Sequence, residues 1–184
     1  MLHPALSAPD ATGWLPGARR LPSPNCDARP EGMPIELIVV HSISLPPGVF
    51  EGDAVIELFT NCLDWEAHPY YAGIRGLQVS AHFFIRRDGS LIQFVPCHLR
   101  AWHAGASNWD GRERCNDFSI GIELEGSDDT PFSEAQYATL VPLVNALRAT
   151  YPIRAVVGHS DIAPGRKTDP GPLFAWQRLD ARTA

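Results

Sequence analysis

The near-continuous apolar run Ile35-Glu-Leu-Ile-Val-Val40, ending on His41, constrains the fold more than any other stretch of the chain. A strand with one wet face alternates. This one is apolar at both parities from Leu37 onward, which suits a strand covered on both sides and points to a sheet between helices. Val79 to Arg87 and Leu91 to Pro96 flank Asp88-Gly89, the strongest hairpin signal in the sequence, so part of that sheet is expected to be antiparallel. Phe118 to Glu125 alternates, with Ile120, Ile122 and Leu124 on one face and Gly121, Glu123 and Glu125 on the other. Asp53 is placed to cap a short helix through Ala54, Val55, Leu58 and Phe59. Ser133 and Gln136 form a capping box opening a helix to about Thr150, with Leu140, Val144 and Leu147 as its buried stripe. Pro142 falls inside that pattern and predicts a kink or a later start. Ala155 to His159 reads as the last inner strand and Leu173 to Ala181 as a short terminal helix. This order predicts an α/β (mixed α+β) fold, a single central mixed β-sheet flanked by helices.

At 184 residues the chain is long enough for one domain with its own core. Residues 1–34 hold seven of the 17 prolines and are expected to form an extended arm packed on the domain of residues 35–184, with Trp14, Leu15 and Leu21 as anchors. A net charge of −6 and the lack of any basic run argue against nucleic acid as a partner. No stretch approaches the roughly 20 apolar residues of a membrane span, and the N-terminus shows no secretory leader, so a cytoplasmic protein is expected. Cys26, Cys62, Cys97 and Cys115 contain no C-x-x-C pair and are expected to be free thiols.

The chemistry-bearing residues gather at the ends of predicted strands. His41 and His159 each close one, and Asp169 follows ten residues after His159 in the proline-braced tail from Val156 to Pro172. Two imidazoles and a carboxylate, leaving a fourth position for water, match a catalytic zinc; calcium and magnesium need more oxygen donors. Each residue also has an ordinary reading: a hydrogen-bonded strand-end histidine, or an Asx turn at Asp169. Glu123 is suited to deprotonate a water and hand the proton to a leaving amine, and Glu125 shares its face. Both would be unremarkable on a solvated edge strand. Lys167 is suited to hold an oxyanion, or is a surface charge. His82, His98 and His103 have weaker claims, His82 as a core residue and His103 in a loop near a possible groove.

Several motifs in register carry a resemblance. Val-Val-His41-Ser-Ile-Ser-Leu-Pro-Pro-Gly, Val79-Ser-Ala-His-Phe, Arg100-Ala-Trp-His-Ala-Gly, Arg112 to Gly126 and Gly158 to Pro172 together resemble the N-acetylmuramoyl-L-alanine amidases, closest to their cytosolic AmpD-type branch in Gram-negative bacteria, specific for 1,6-anhydro-muropeptides. The likeness runs from about Gly13 through Trp176. It implies a sheet flanked by helices like that of phage-lysozyme amidases and peptidoglycan recognition domains. It implies zinc on His41, His159 and Asp169, catalysis by Glu123 and Lys167, and a muropeptide substrate in peptidoglycan recycling. Trp102 and Arg114 fall in motifs expected to line the substrate groove. Ser42 stands where this branch often carries asparagine, which puts one substrate hydrogen bond in doubt. A monomer is expected. The competing readings are an exported or phage-type amidase acting on intact wall, and a muropeptide-binding module without catalysis.

Overall fold

The computed structural model describes residues 6–179. Its strands are β1 (Arg19–Arg20), β2 (Cys26–Ala28), β3 (Leu37–Ile43), β4 (Phe83–Ile85), β5 (Leu91–Gln93), β6 (Leu99–Ala101), β7 (Asn108–Trp109), β8 (Arg112–Glu113), β9 (Ser119–Glu125) and β10 (Ala155–Gly158). The α-helices are α1 (Ala54–Phe59), α2 (Pro69–Gly73), α3 (Glu134–Thr150) and α4 (His159–Ile162). Six strands make the main sheet in the order β1-β5-β4-β9-β3-β10. All its pairings are parallel except the β4–β5 hairpin. This is the mixed sheet expected.

Strand β3 is an inner strand, with β9 on one side and the edge strand β10 on the other, and Leu37 to Val40 are fully buried. Alternation sends Ile38 and Val40, with Ile120, Ile122 and Leu124 of β9, into a core shared with Leu140, Leu143, Val144 and Leu147 of α3. Burying side chains of this size contributes roughly 1.5–3 kcal/mol each. The opposite parity of β3, Leu37 and Val39, packs with Phe118, Ala155 and Ile162. A separate cluster around Phe59, Phe84 and Phe94 seats α1 and α2.

Helix α3 opens at the predicted capping box, Ser133 Oγ accepting from the Gln136 amide. Pro142 does not delay its start. The lost backbone hydrogen bond at Ala138 is outweighed because Tyr137 and Leu140 before the proline, and Leu143, Val144 and Leu147 after it, all pack into one core. Other elements were not anticipated. Residues 64–76, rich in Pro, Gly and aromatics, contain α2, whose first turn is capped by His68 Nδ1. The polar stretch of residues 100–116 contains the β7–β8 hairpin, turning through Asp110 and Gly111, both at positive φ as a type I′ turn requires. The arm supplies β1 at the sheet's edge and β2 against β6. Leu15 is fully buried. Of the terminal helix expected over Leu173 to Ala181, Leu173 to Ala175 are turn and irregular chain, and Trp176–Leu179 form a 3-10 turn; residues 180–181 lie outside the described residues. The four cysteines are free. Among the described residues no helix is long and apolar enough to cross a membrane.

Candidate active site

The parallel register assembles the site. His41 of β3 is the direct partner of Glu123 on β9, so imidazole and carboxylate leave neighbouring strands at the same level and on the face away from α3. On the other side Gly158 pairs with Val40, and His159 follows it as the first residue of α4. Asp169 is brought alongside by its own backbone, whose carbonyl accepts from Ser160 N at 2.9 Å.

Three donor atoms converge there. His41 Nδ1 lies 3.0 Å from His159 Nδ1 and 3.2 Å from Asp169 Oδ2, and His159 Nδ1 lies 3.1 Å from that same oxygen. Zinc held tetrahedrally at about 2.0–2.1 Å needs neighbouring donors roughly 3.3 Å apart, close to this triangle. The hydrogen bonding on the far side of the ring supports the same reading. His159 Nε2 sits 3.1 Å from the carbonyl oxygen of Ala104, which only accepts, so a neutral ring carries its proton there and turns a lone pair from Nδ1 into the cluster. Burial pulls the His41 pKa down to about 4 and keeps that ring neutral, the form that binds metals. Burial works to raise Asp169, but the adjoining His159 and His41 rings outweigh it and hold the carboxyl well below the usual carboxylate range. Two imidazole nitrogens and one carboxylate oxygen at this spacing fit a divalent cation.

Glu123 is not on an edge strand. It sits on β9 between β4 and β3, 8% exposed, and among the described residues its Oε2 is the one buried side-chain polar atom with no hydrogen-bond partner. Burial, reinforced by the Asp169 charge and only partly opposed by Lys167, raises its pKa well above the ordinary value. A carboxyl of high proton affinity beside three metal-type donors is equipped to accept and return a proton. Glu125 has different surroundings: it accepts from Arg87 N at 2.9 Å and faces Arg86, and it lies outside the cavity described next.

A cavity of about 230 Å³ opens over this cluster. His41, Glu123, His159, Lys167 and Asp169 form its polar end; Leu45, Leu58, Phe59, Ile74 and Leu77 form an apolar wall, with Tyr70 and Trp102 also lining it. Ser42 lines it as well. Arg114 does not: its side chain is 70% exposed, pairs with Asp117 at 3.3 Å and lines a separate hollow of about 490 Å³ together with Arg166. Two residues of this site escaped the sequence reading. His103 was only placed near a groove, yet it is buried against His41, with its Nδ1 2.9 Å from His41 Nε2. Arg166 donates to the carbonyls of Ala104 and Ala106, bracing the loop that supports His159. Neither has a local sequence signal, because both act through contacts about 60 residues away in the chain.

The chain is similar to known proteins along most of its length. A family model described as N-acetylmuramoyl-L-alanine amidase matches residues 31–172. The chain is 57% identical over 171 residues to the 1,6-anhydro-N-acetylmuramyl-L-alanine amidase AmpD of Citrobacter freundii, covering 92% of this chain and 91% of that protein. The crystal structure of a selenomethionine derivative of AmpD is similar with a TM-score of 0.89 and 57% identity, over 91% of this chain and 95% of that one. A further similar structure is the N-acetylmuramyl-L-alanine amidase AmiD of E. coli in complex with anhydro-N-acetylmuramic acid-L-Ala-D-γ-Glu-L-Lys. There the TM-score is 0.61 and the identity 35%, over 83% of this chain and 59% of that one.

Proposed function

The chain belongs to the N-acetylmuramoyl-L-alanine amidase family, and from that membership we infer that it hydrolyses the amide bond between the lactyl group of 1,6-anhydro-N-acetylmuramic acid and L-alanine in muropeptides. The reading includes zinc held by His41, His159 and Asp169, and a place in peptidoglycan recycling in the cytoplasm as a monomer. The observation that carries it is the joint one at the strand ends: three metal-type donor atoms within 3.2 Å of one another, beside a buried carboxyl oxygen with no partner.

When bound, zinc supplies Lewis acidity toward the scissile carbonyl and the attacking water. The chain's own groups account for the rest. Glu123 takes a proton from the attacking water at its unpartnered Oε2 and returns it to the departing alanine nitrogen, leaving a free amine and a lactyl carboxylate. The Lys167 ammonium, at the polar end of the cavity, holds the oxyanion that develops on the carbonyl. Trp102 and the aliphatic wall receive the sugar and exclude water from its apolar face, with Ser42 offering a hydroxyl at the rim. Arg114, in the separate hollow it lines with Arg166, is suited to the carboxylates of the stem peptide.

The test is mass spectrometry of the products from a defined anhydro-muropeptide, with and without chelator, run in parallel with whole sacculi. Release of intact peptide from the soluble substrate, abolished by chelator and restored by zinc, is the expected result. Turnover confined to sacculi would replace this reading with a wall-degrading amidase. Binding without cleavage would replace it with a recognition module.

A further inference from the structure

We propose that His103 is a positioning residue for zinc, the built acceptor that fixes which nitrogen of His41 faces the cation; the inference rests on His41, His159 and Asp169 being the zinc ligands. The two rings meet edge to face, centroids 5.0 Å apart, with His41 Nε2 and His103 Nδ1 separated by 2.9 Å. One proton lies between those nitrogens, and its owner decides the site. If His103 carries it on Nδ1, the His41 proton moves to Nδ1, 3.2 Å from Asp169 Oδ2, and blocks the lone pair that a cation needs. If His41 carries it on Nε2, His41 Nδ1 is free to bind, and the proton of His103 sits on Nε2, 3.2 Å from Ser119 Oγ. Only the second arrangement pairs every ring nitrogen and leaves a donor for the metal.

The surroundings of His103 hold its ring in place. Its backbone N–H donates to Asn116 Oδ1 at 3.1 Å, as does that of Ala104 at 2.8 Å. Its ring lies against Gly121, where an added Cβ would come 2.5 Å from His103 Cγ. On the site-facing parity of β9, three successive residues therefore divide the work. Ser119 anchors the far nitrogen, Gly121 makes room for the ring, and Glu123 presents the carboxyl.

Two measurements test this. Zinc affinity, by competition with a chromophoric chelator, is compared for wild type, His103→Phe (similar bulk, no acceptor) and His103→Asn (amide oxygen near the Nδ1 position). The cobalt-substituted absorption spectrum is recorded for each. The Phe variant should bind zinc about 10–100-fold more weakly with an altered cobalt spectrum, while Asn recovers most of the loss. In zinc-loaded wild-type protein with ¹⁵N-labelled histidine, scalar coupling should run from His41 Nε2 to His103 Nδ1, with the His103 proton on Nε2. The NMR measurement decides the matter even if the Phe variant does not fold. A folded Phe variant binding zinc within twofold of wild type, or a proton on His103 Nδ1, overturns the proposal while leaving the ligand set intact. Wild-type protein that takes up no zinc overturns the ligand reading and this inference together.

Discussion

Replacing Glu123 with glutamine should stabilise the fold while disabling the enzyme. In the folded chain this carboxyl is 8% exposed on an interior strand, and its Oε2 meets no donor. A buried polar group left unpaired costs about 1–3 kcal/mol, more when charged. Glutamine keeps the shape and removes the charge but still presents a polar atom, so the gain should fall near 1–2 kcal/mol. For a chain of this size that raises Tm by about 2–8 °C. The sign with pH follows from the raised pKa, caused by burial and then by Asp169. Below about pH 4.5, the ordinary value, Glu123 is protonated in both states and proton release adds nothing to its cost. As pH climbs above it, the unfolded chain releases a proton that the folded chain keeps, and wild-type stability is lost progressively up to the folded pKa. The advantage of the variant should therefore be absent at pH 4.5 and grow toward pH 8. Urea unfolding of both proteins across that range, metal-free because a bound cation would itself favour the carboxylate, reads this directly. The same variant should lose about 10²–10⁴ in turnover when zinc-loaded. A variant no more stable than wild type at pH 8, or one whose gain does not change with pH, would refute the argument.

Lys167→Ala is expected to keep its zinc, by metal analysis, and lose about 10²–10³ in rate; full activity would remove the ammonium from the proposed chemistry. Arg29→Met should lower stability by on the order of 3 kcal/mol and Tm by roughly 6–12 °C, read by thermal melts. The buried guanidinium donates to the carbonyls of Asn116 at 3.0 Å, Asp117 at 3.0 Å and Ser119 at 2.8 Å, and methionine would leave all three without it. Metal-free protein should also lose stability as pH falls from about 6.5 toward 3, since burial lowers His82 to about 3 and His41 to about 4. A base with a depressed folded pKa contributes stability above its unfolded value and loses it on acidification, at up to about 1.4 kcal/mol per pH unit for each ring. A flat profile in denaturant melts between pH 6.5 and 4 would contradict that assignment.

The elements legible in the sequence were those whose pattern is local. The apolar run into β3, the alternation of β9 and the Ser133–Gln136 box each carry their own period or cap, and each formed within two residues of its expected place. Segments whose structure depends on a distant partner were not legible. Arg19–Arg20 become a strand only because β5 offers an edge, and Cys26–Ala28 only because β6 does. Asp110-Gly111 carried the same dipeptide signal as Asp88-Gly89, but its flanking strands are two residues each, too short to show alternation. The donor residues His41 and His159 could be picked out because strand ends advertise them. His103 could not, since its placement depends on a side chain missing from Gly121 and on Ser119 beyond it.

The register between β3 and β9 sets how this chain can tolerate changes in length. Side chains on a strand swap faces at every step, so a single residue inserted or deleted upstream in β9 would carry Glu123 into the oily layer beneath α3 and turn Ile122 or Leu124 toward His41. The same edit between β7 and β8, where a turn merely crosses the surface, would leave that row untouched. Indel scanning across the gene should therefore leave a dead band over the inner strands and a permissive one over the surface hairpin.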